Sequence, residues 1–271
     1  MMQIKEENGK CLEVATVLEQ VDLGSGYYLL ILRSPRIAAA THAGQFLLMS
    51  VRRSDDASSD PLLRRPFSIL GCGPARGTLE LLYRVVGTGT RLMPRLEVGE
   101  EVSLVGPLGN GWPGTEGDVV LVAGGVGMPP LLYLAEELSG DGRAMTLFYG
   151  ACSVSHLHLL DRFEQAGVDV RLATDDGSAG HHGSCVHALE KWLDKRGVQG
   201  ASFFGCGPHG MLAAFAKLTE QRGLRAFVSL EAPMACGIGV CRGCAVPMRD
   251  GTYRMVCSDG PIFTTDEVSF E

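Results

Sequence analysis

Glu231-Ala-Pro-Met-Ala-Cys236-Gly-Ile-Gly-Val-Cys241-Arg-Gly-Cys244 is the stretch that decides how this chain is organised, because it places three cysteines within nine residues. Cys257 follows, so the full spacing is C-x4-C-x2-C-x12-C. The first three spacings match, in order, those of plant-type [2Fe–2S] proteins, in which four thiolates hold the cluster. Intervening glycines permit a turn whose backbone N–H groups point at the sulfurs. The pattern predicts a [2Fe–2S] cluster with the ligands Cys236, Cys241, Cys244 and Cys257.

Two other interpretations of the four cysteines stay open. One is a structural zinc site, although such sites usually repeat a C-x2-C pair and this stretch has only one pair with that spacing. The other is a chance run of cysteines. Between Cys244 and Cys257, the turn residues Asp250-Gly251 and the strand-like segment 253–256 predict a hairpin that returns the fourth cysteine to the loop.

Length and composition exclude several classes of protein. A chain of 271 residues fits about two average domains with an appendage. Its formal net charge of -7 argues against nucleic acid as the principal partner, since phosphate binding needs clustered Lys and Arg. The sequence contains no long apolar run and no apolar secretion signal, so we expect a soluble, cytoplasmic protein without a membrane partner. The remaining cysteines form no disulfide framework and are expected to be reduced; they are Cys11, Cys72, Cys152, Cys185 and Cys206.

The first part of the chain predicts an antiparallel β-barrel. Short apolar, strand-like segments are separated by Gly and Pro, which is typical of barrels; they cover residues 27–32, 45–49, 67–70 and 79–86. The polar insert 52–60 has no apolar period and is predicted to be a surface loop.

After residue 114 the pattern changes to alternating strands and helices. Strands are predicted at 119–123, 145–149, 168–173, 202–205 and 226–230, with a helix at 129–138 whose apolar residues share one face. Such alternation predicts a mostly parallel sheet with crossover helices. We therefore predict a mixed β and α/β protein with a barrel domain at 1–113, an α/β domain at 114–225 and a cysteine module at 226–271.

Two short motifs in the barrel favour a bound phosphate. Arg65-Pro-Phe-Ser68 opens a strand, where an arginine fork can reach phosphate oxygens. Leu82-Tyr-Arg84 leads into Gly87-Thr-Gly-Thr90, a small-residue turn whose N–H groups can cradle a pyrophosphate, and Tyr83 offers an aromatic face. Each motif alone is weak, since the first recurs by chance and the second is more often an ordinary strand end.

In this order, ahead of an α/β domain, the two motifs resemble the flavin-binding domain of the ferredoxin–NADP reductase superfamily. Residues 106–112 also resemble the exit of that family's barrel. The resemblance implies an FAD site formed by Arg65, Pro66, Phe67, Ser68, Leu82, Tyr83, Arg84, Gly89 and Thr90.

The turn Gly124-Gly-Val-Gly-Met-Pro-Pro130 follows a predicted strand and opens a helix, which is where phosphates bind. It fails the G-x-G-x-x-G fingerprint because Pro130 takes the third glycine position, so alone it fits a tight turn equally well. It does resemble the superfamily's G-G-x-G-x-x-P turn. The resemblance implies a pyridine nucleotide site formed by Gly124, Gly125, Gly127, Asp175, Asp176, Gly207 and Pro208.

Cys206 is the one catalytic candidate, because the resemblance puts the turn Cys206-Gly-Pro208 beside the nicotinamide. A small buried residue that closes a turn is an equally good interpretation. Other polar residues are predicted to have no special role. His156 and His158 add local polarity, and Asp161 and Arg162 form an ordinary solvated charge pair.

The three signatures together, in this order, resemble the electron transfer subunits of dihydroorotate dehydrogenase B. The resemblance implies that NADH, FAD and the [2Fe–2S] cluster supply electrons to an FMN-containing catalytic subunit of dihydroorotate dehydrogenase, in pyrimidine biosynthesis and in a hetero-oligomer with two copies of each subunit. An NAD(P)H:ferredoxin oxidoreductase subunit of another complex, including bifurcating ones, shares all three signatures. A non-catalytic scaffold that binds zinc is the alternative from another class.

Overall fold

The computed structural model describes residues 9–51, 60–115, 117–195 and 200–270. The loop predicted for 52–60 lies, apart from its last residue, outside these ranges. No helix among the described residues is long and apolar enough to cross a membrane.

The first six strands close into an antiparallel barrel in the order β1-β2-β5-β4-β3-β6. In the first half of β1, every second residue from Cys11 to Val17 is buried because successive side chains point to opposite faces of a strand. The predicted barrel is confirmed. Its strands are β1 (Cys11–Gly24), β2 (Tyr27–Arg33), β3 (Phe46–Met49), β4 (Arg65–Gly73), β5 (Thr78–Arg84) and β6 (Glu101–Leu108), and its helices are α1 (Pro35–Ala40) and α2 (Thr88–Leu92).

The second sheet has seven strands in the order β10-β9-β8-β7-β11-β12-β15, and the predicted parallel sheet is confirmed. Six of these strands run parallel to their neighbours, and the last pairs antiparallel with β12. They are β7 (Val119–Gly124), β8 (Met145–Ala151), β9 (Val168–Thr174), β10 (His181–His182), β11 (Ser202–Cys206), β12 (Ala226–Ser229) and β15 (Ile262–Thr264), with helices α3 (Pro129–Glu137), α4 (Leu160–Gln165), α5 (Cys185–Leu193) and α6 (His209–Gln221).

The predicted hairpin between the last two cysteines is also confirmed. Strand β13 (Ala245–Pro247) pairs antiparallel with β14 (Tyr253–Met255). The chain then returns to the main sheet as β15, which the sequence did not predict because three residues carry too little periodicity. Two strands from the range 226–271, the parallel β12 and the antiparallel β15, therefore complete the seven-stranded sheet.

Asn110, at the exit of the barrel, holds the segment that follows the hairpin. Its backbone N–H donates to the carbonyl of Gly260 at 2.7 Å. Its side-chain Nδ2 donates to the carbonyls of Asp259 and Ile262 at 3.2 and 3.1 Å, and its Oδ1 accepts from the N–H of Ile262 at 3.0 Å. One side chain thus joins the barrel, the cysteine module and the edge of the sheet.

Arg162 joins the barrel to the α/β sheet, so the prediction of a solvated pair with Asp161 is wrong. Its Nη1 donates to Glu80 Oε2 of β5 at 2.7 Å, while Nε and Nη2 donate to the two oxygens of Glu136 on α3 at 2.8 and 3.0 Å. Burial raises the pKa of the Glu136 carboxyl, and the Arg162 guanidinium opposes that effect. Neighbouring helical residues point in different directions, and α4 turns Arg162 towards the barrel.

Replacing this arginine, in Arg162→Ala, is expected to lower the free energy of unfolding by about 2 kcal/mol, because it leaves two partly buried carboxylates without their shared donor. Urea unfolding of the full chain measures the change. The matched control is Arg171→Ala, which removes an exposed pair with Asp169 and is expected to cost about 0.5 kcal/mol or less. Equal losses for the two variants would contradict the account.

Candidate functional site

One cavity, of about 650 Å³, lies against the barrel strands β4 and β5 and is called the barrel cavity here. Ser229 at the end of β12, the loop residues 230–234 and Pro261 also line it. The structure brings all nine residues of the predicted FAD site to its wall, and these are Arg65, Pro66, Phe67, Ser68, Leu82, Tyr83, Arg84, Gly89 and Thr90.

Arg65 and the turn at the start of α2 are packed together at the cavity wall. A Cβ on Gly89 would lie 3.0 Å from Arg65 Nε, so glycine makes room for the arginine. Thr90 Oγ1 accepts from the N–H groups of Val86 and Gly87 at 2.9 and 3.1 Å, which fixes the turn. A guanidinium can bind an anion such as a phosphate, and backbone N–H groups of a small-residue turn can contribute.

Tyr83 is held rigidly at the same wall. Its ring stacks on Tyr28 with centroids 5.3 Å apart, and Phe67 meets it edge-on at 6.2 Å. The hydroxyl donates to Gln20 Oε1 at 3.1 Å, and burial raises the pKa of the phenol, which therefore stays neutral. Since Tyr28 covers one face of the Tyr83 ring, only the other face and the ring edge can contact a molecule in the cavity.

A second cavity, of about 700 Å³, lies at the carboxyl ends of the parallel strands and is called the sheet cavity here. Ligands of parallel sheets bind at this edge. Six residues of the predicted nucleotide site line it, namely Gly124, Gly125, Gly127, Asp175, Gly207 and Pro208.

Glycine is required at position 127 because the turn 124–130 and the turn 206–208 approach closely at the wall of the sheet cavity. A Cβ on Gly127 would lie 2.7 Å from the carbonyl oxygen of Cys206 and from the backbone of Gly207. Gly125 has a φ of +52°, and its carbonyl accepts from the buried hydroxyl of Tyr149 at 3.2 Å. The turn 124–130 is therefore fixed by packing against the turn 206–208 and by one side-chain hydrogen bond.

Two predicted site residues are not among those that line the sheet cavity. Asp176 Oδ1 accepts from the N–H and the hydroxyl of Ser178 at 2.9 and 2.6 Å, and these hydrogen bonds lower the pKa of its carboxyl. Cys206 is 1% exposed, and burial raises the pKa of its thiol. Cys206 pairs with Ser229 of β12, which lines the barrel cavity, and directly precedes Gly207, which lines the sheet cavity.

Sequence reasoning missed Tyr27 and His156, which line the sheet cavity although they come from the barrel and from the loop after β8. The Tyr27 ring packs against His158 at 4.4 Å and against His156 at 6.0 Å, and the guanidinium of Arg84 lies 5.5 Å above it. This contact joins segments that are about 130 residues apart in the sequence, so no local sequence pattern predicts it.

The barrel cavity and the sheet cavity adjoin. Four described residues line both of them, and these are Arg84, Val126, Leu230 and Glu231. Leu230 and Glu231 directly follow β12, so they lie at the carboxyl edge of the sheet. Glu231 keeps part of its surface open to the cleft, and partial desolvation there raises the pKa of its carboxyl. Molecules bound in the two cavities would therefore meet at one shared boundary.

The four cysteines form a loop in which backbone N–H groups surround the sulfurs. Cys236 Sγ accepts from the N–H groups of Ile238 and Cys241 at 3.5 and 3.4 Å, and Cys257 Sγ accepts from that of Gly239 at 3.1 Å. These donors lower the pKa of Cys236 to about 6 although burial acts in the opposite direction. Thiolates that accept backbone N–H bonds are the donor set of iron–sulfur clusters, so the residues fit that group.

The cysteine loop packs directly against the barrel. A Cβ on Gly237, which has a φ of +70°, would clash with Leu48 of β3. Cys244 and Cys257 are buried with their sulfurs 3.2 Å apart, whereas Cys241 is exposed. Among the residues that the structure describes, no three His, Cys, Asp or Glu side chains are placed to hold a single metal ion. Met234 and Pro261, which flank the loop, line the barrel cavity.

Comparison with known proteins agrees with this arrangement. Residues 231–269 match the family described as the iron-sulfur cluster binding domain of dihydroorotate dehydrogenase B. The solved structure of an NADH-dependent reduced ferredoxin–NADP oxidoreductase, determined to study flavin-based electron bifurcation, is 27% identical with a TM-score of 0.83, and the match covers 94% of this chain and 90% of that one.

Relatives similar over nearly their whole length decide the family. A dihydroorotate dehydrogenase B (NAD(+)) electron transfer subunit from Shouchella clausii is 36% identical over 93% of this chain and 96% of its own length. The subunit with the same name from Geobacillus thermodenitrificans is 36% identical over 94% of this chain and 98% of its own. The chain therefore belongs to the family of dihydroorotate dehydrogenase B electron transfer subunits.

Proposed function

We propose that this chain accepts electrons from NADH in the sheet cavity and passes them, through FAD in the barrel cavity and a [2Fe–2S] cluster on the cysteine loop, to the catalytic subunit of a dihydroorotate dehydrogenase. The observation that carries the proposal is the shared boundary of the two cavities, together with the cysteine loop that borders the barrel cavity. A flavin supplies the conversion of a two-electron hydride into single electrons, which a cluster can accept.

The residues of the barrel cavity would hold FAD. In this proposal Arg65 binds the pyrophosphate with the N–H groups of the 87–90 turn, because guanidinium and backbone donors suit phosphate oxygens. Tyr83 and Phe67 supply aromatic surface, and the remaining predicted residues shape the cavity; they are Pro66, Ser68, Leu82, Arg84, Gly89 and Thr90.

The residues of the sheet cavity would hold the pyridine nucleotide. Gly124, Gly125 and Gly127 let its pyrophosphate approach the backbone at the carboxyl ends of the strands. Asp175 faces the cavity, and Asp176 supports the turn that presents it. Gly207 and Pro208 line the sheet cavity. Cys206, the buried residue before them, would act as a positioning residue, because its pairing with Ser229 fixes where this turn begins.

The four cysteines of the loop would ligate the cluster, and the chain would act in a complex with a second subunit. The relatives are named electron transfer subunits, which implies a catalytic partner subunit. We propose that the partner carries FMN, that two copies of each subunit assemble, and that the complex works in the cytoplasm, where the five cysteines outside the loop would stay reduced. We keep 1–113, 114–225 and 226–271 as the proposed division of the chain.

Activity with and without the partner tests the proposed function. The chain, isolated without oxygen, is expected to reduce an artificial dye with NADH but to leave dihydroorotate unchanged, because its cavities present no residue assigned as a base for that substrate. Dihydroorotate oxidation coupled to NAD⁺ should begin when an FMN-containing dihydroorotate dehydrogenase co-purifies with it. Turnover of dihydroorotate by the chain alone, or co-purification with a multi-cluster flavoprotein instead, would overturn this assignment.

Arg65→Ala is expected to weaken FAD binding by about tenfold to a hundredfold, since a charge-assisted contact to phosphate contributes about 1.5–3 kcal/mol. The affinity of the FAD-free chain for FAD, followed by the change in flavin fluorescence, measures the effect. The control is Arg91→Ala, because Arg91 belongs to α2 but does not line the barrel cavity. An unchanged affinity in Arg65→Ala would show that the phosphate lies elsewhere.

Cys241→Ser is expected to lower the iron and acid-labile sulfide content well below the about two of each per chain of a [2Fe–2S] protein. Cys152→Ala is the matched control, because it also removes an exposed thiol but lies outside the loop. Metal and sulfide analysis after purification without oxygen gives the result. A wild-type chain that contains zinc and no sulfide would instead support the zinc-binding scaffold.

A further inference from the structure

The hairpin that carries two of the cysteines also reaches the sheet cavity. At its base, the N–H of Val256 donates to the carbonyl of Cys244 at 3.1 Å, and the N–H of Cys257 donates to Cys244 Sγ at 3.5 Å. Strand β13 begins directly after Cys244, and Val246 and Pro247 of that strand line the sheet cavity. The cysteine loop and the nucleotide cavity are therefore connected by three consecutive residues.

The C-terminal segment 267–270 is fastened to the same hairpin. The N–H of Arg249 donates to the carbonyl of Glu267 at 2.8 Å, and Arg249 Nε donates to the carbonyl of Val268 at 3.2 Å. Met248 and Val268 form an isolated β-bridge, and the N–H of Ser269 donates to the carbonyl of Pro247 at 3.1 Å. The hairpin thus fixes residues 267–269, which precede Phe270.

Val268, Ser269 and Phe270 of this segment line the sheet cavity. The Phe270 ring meets His209 edge-on with centroids 5.5 Å apart, and His209 is the first residue of α6 and lines the cavity as well. The segment therefore forms part of the cavity wall, and Phe270 is its aromatic part. None of these three residues lines the barrel cavity.

We propose that Val268–Phe270, held by the β13–β14 hairpin, is a wall of the pyridine nucleotide site, so that cluster assembly on the cysteine loop and nucleotide binding strengthen each other. The inference rests on the proposed function of the sheet cavity. Metal ligation at Cys244 and Cys257 orders the base of the hairpin, the hairpin orders the segment, and the segment completes the cavity. Because linkage is reciprocal, bound nucleotide would also raise the affinity of the chain for its iron.

Calorimetric titration with NAD⁺ tests the inference, because it reports binding and requires no electron transfer. The titration uses the full chain, and the FAD and iron contents of every sample are measured. Phe270→Ala is expected to weaken NAD⁺ binding at least about fivefold, while Phe270→Leu, which keeps apolar bulk, should stay within about twofold of wild type. Should Phe270→Ala lose iron or FAD, Val268→Ala trims the same wall and is expected to act in the same direction.

The matched control is Tyr253→Ala, because Tyr253 belongs to the same hairpin but is 67% exposed and does not line the sheet cavity. It should leave the affinity unchanged. Wild-type chain from which a chelator has removed the iron should bind NAD⁺ at least about fivefold more weakly, and Phe270→Ala should then add little further loss, since coupled changes are not additive.

Several results would overturn the inference. Equal affinities of Phe270→Ala and Tyr253→Ala would show that the segment is not part of the site. An affinity that iron removal leaves unchanged would show that the cluster and the nucleotide are not linked. In both cases wild-type binding of NAD⁺ would leave the proposed function intact, whereas a wild-type chain that binds no NAD⁺ would remove both.

Discussion

Asn110 makes the contact on which the arrangement of the molecule depends. With its backbone and its side chain it bonds to Asp259, Gly260 and Ile262, and so ties the end of the barrel to the chain that leaves the cysteine loop. Pro261, within that segment, lines the barrel cavity. Electron transfer needs its components close together and held still, and this hydrogen-bonded corner fixes the cysteine loop beside the proposed flavin site. Arg162 does the same for the barrel and the α/β sheet through Glu80 and Glu136.

The barrel, the α/β sheet and the cysteine loop are held in fixed positions. The residues that line both cavities therefore determine where a bound nucleotide and a bound flavin would meet. Arg84 comes from the barrel, Val126 from the glycine turn, and Leu230 and Glu231 from the segment that leads into the cysteine loop. Each structural unit therefore contributes to the boundary where a nucleotide and a flavin would meet. The close approach of Gly127 to the backbone of Cys206 and Gly207 shows why small residues are needed there. Glu231, whose carboxyl has a raised pKa, lies at this boundary.

The sequence was most informative where function constrains short segments. The cysteine spacing predicts its ligand set directly, whereas the Arg65–Ser68 motif and the glycine turn predict a site only through their order along the chain and the family resemblance. The parallel sheet was predictable from alternating apolar runs. Contacts between distant segments were not. Tyr27 against His156, Arg162 between two glutamates, and segment 267–270 beside the sheet cavity all depend on tertiary packing that no local pattern encodes.

The central claim is that one connected path leads from the sheet cavity through the barrel cavity to the cysteine loop. Titration of the purified, oxygen-protected chain with NADH, followed by absorbance and by electron paramagnetic resonance, tests it most directly. A chain with one flavin and one cluster on the same path takes up three electrons, so the account predicts an end point of about 1.5 NADH per chain, with the cluster reduced. An end point of about one NADH, with the cluster still oxidised, would contradict it.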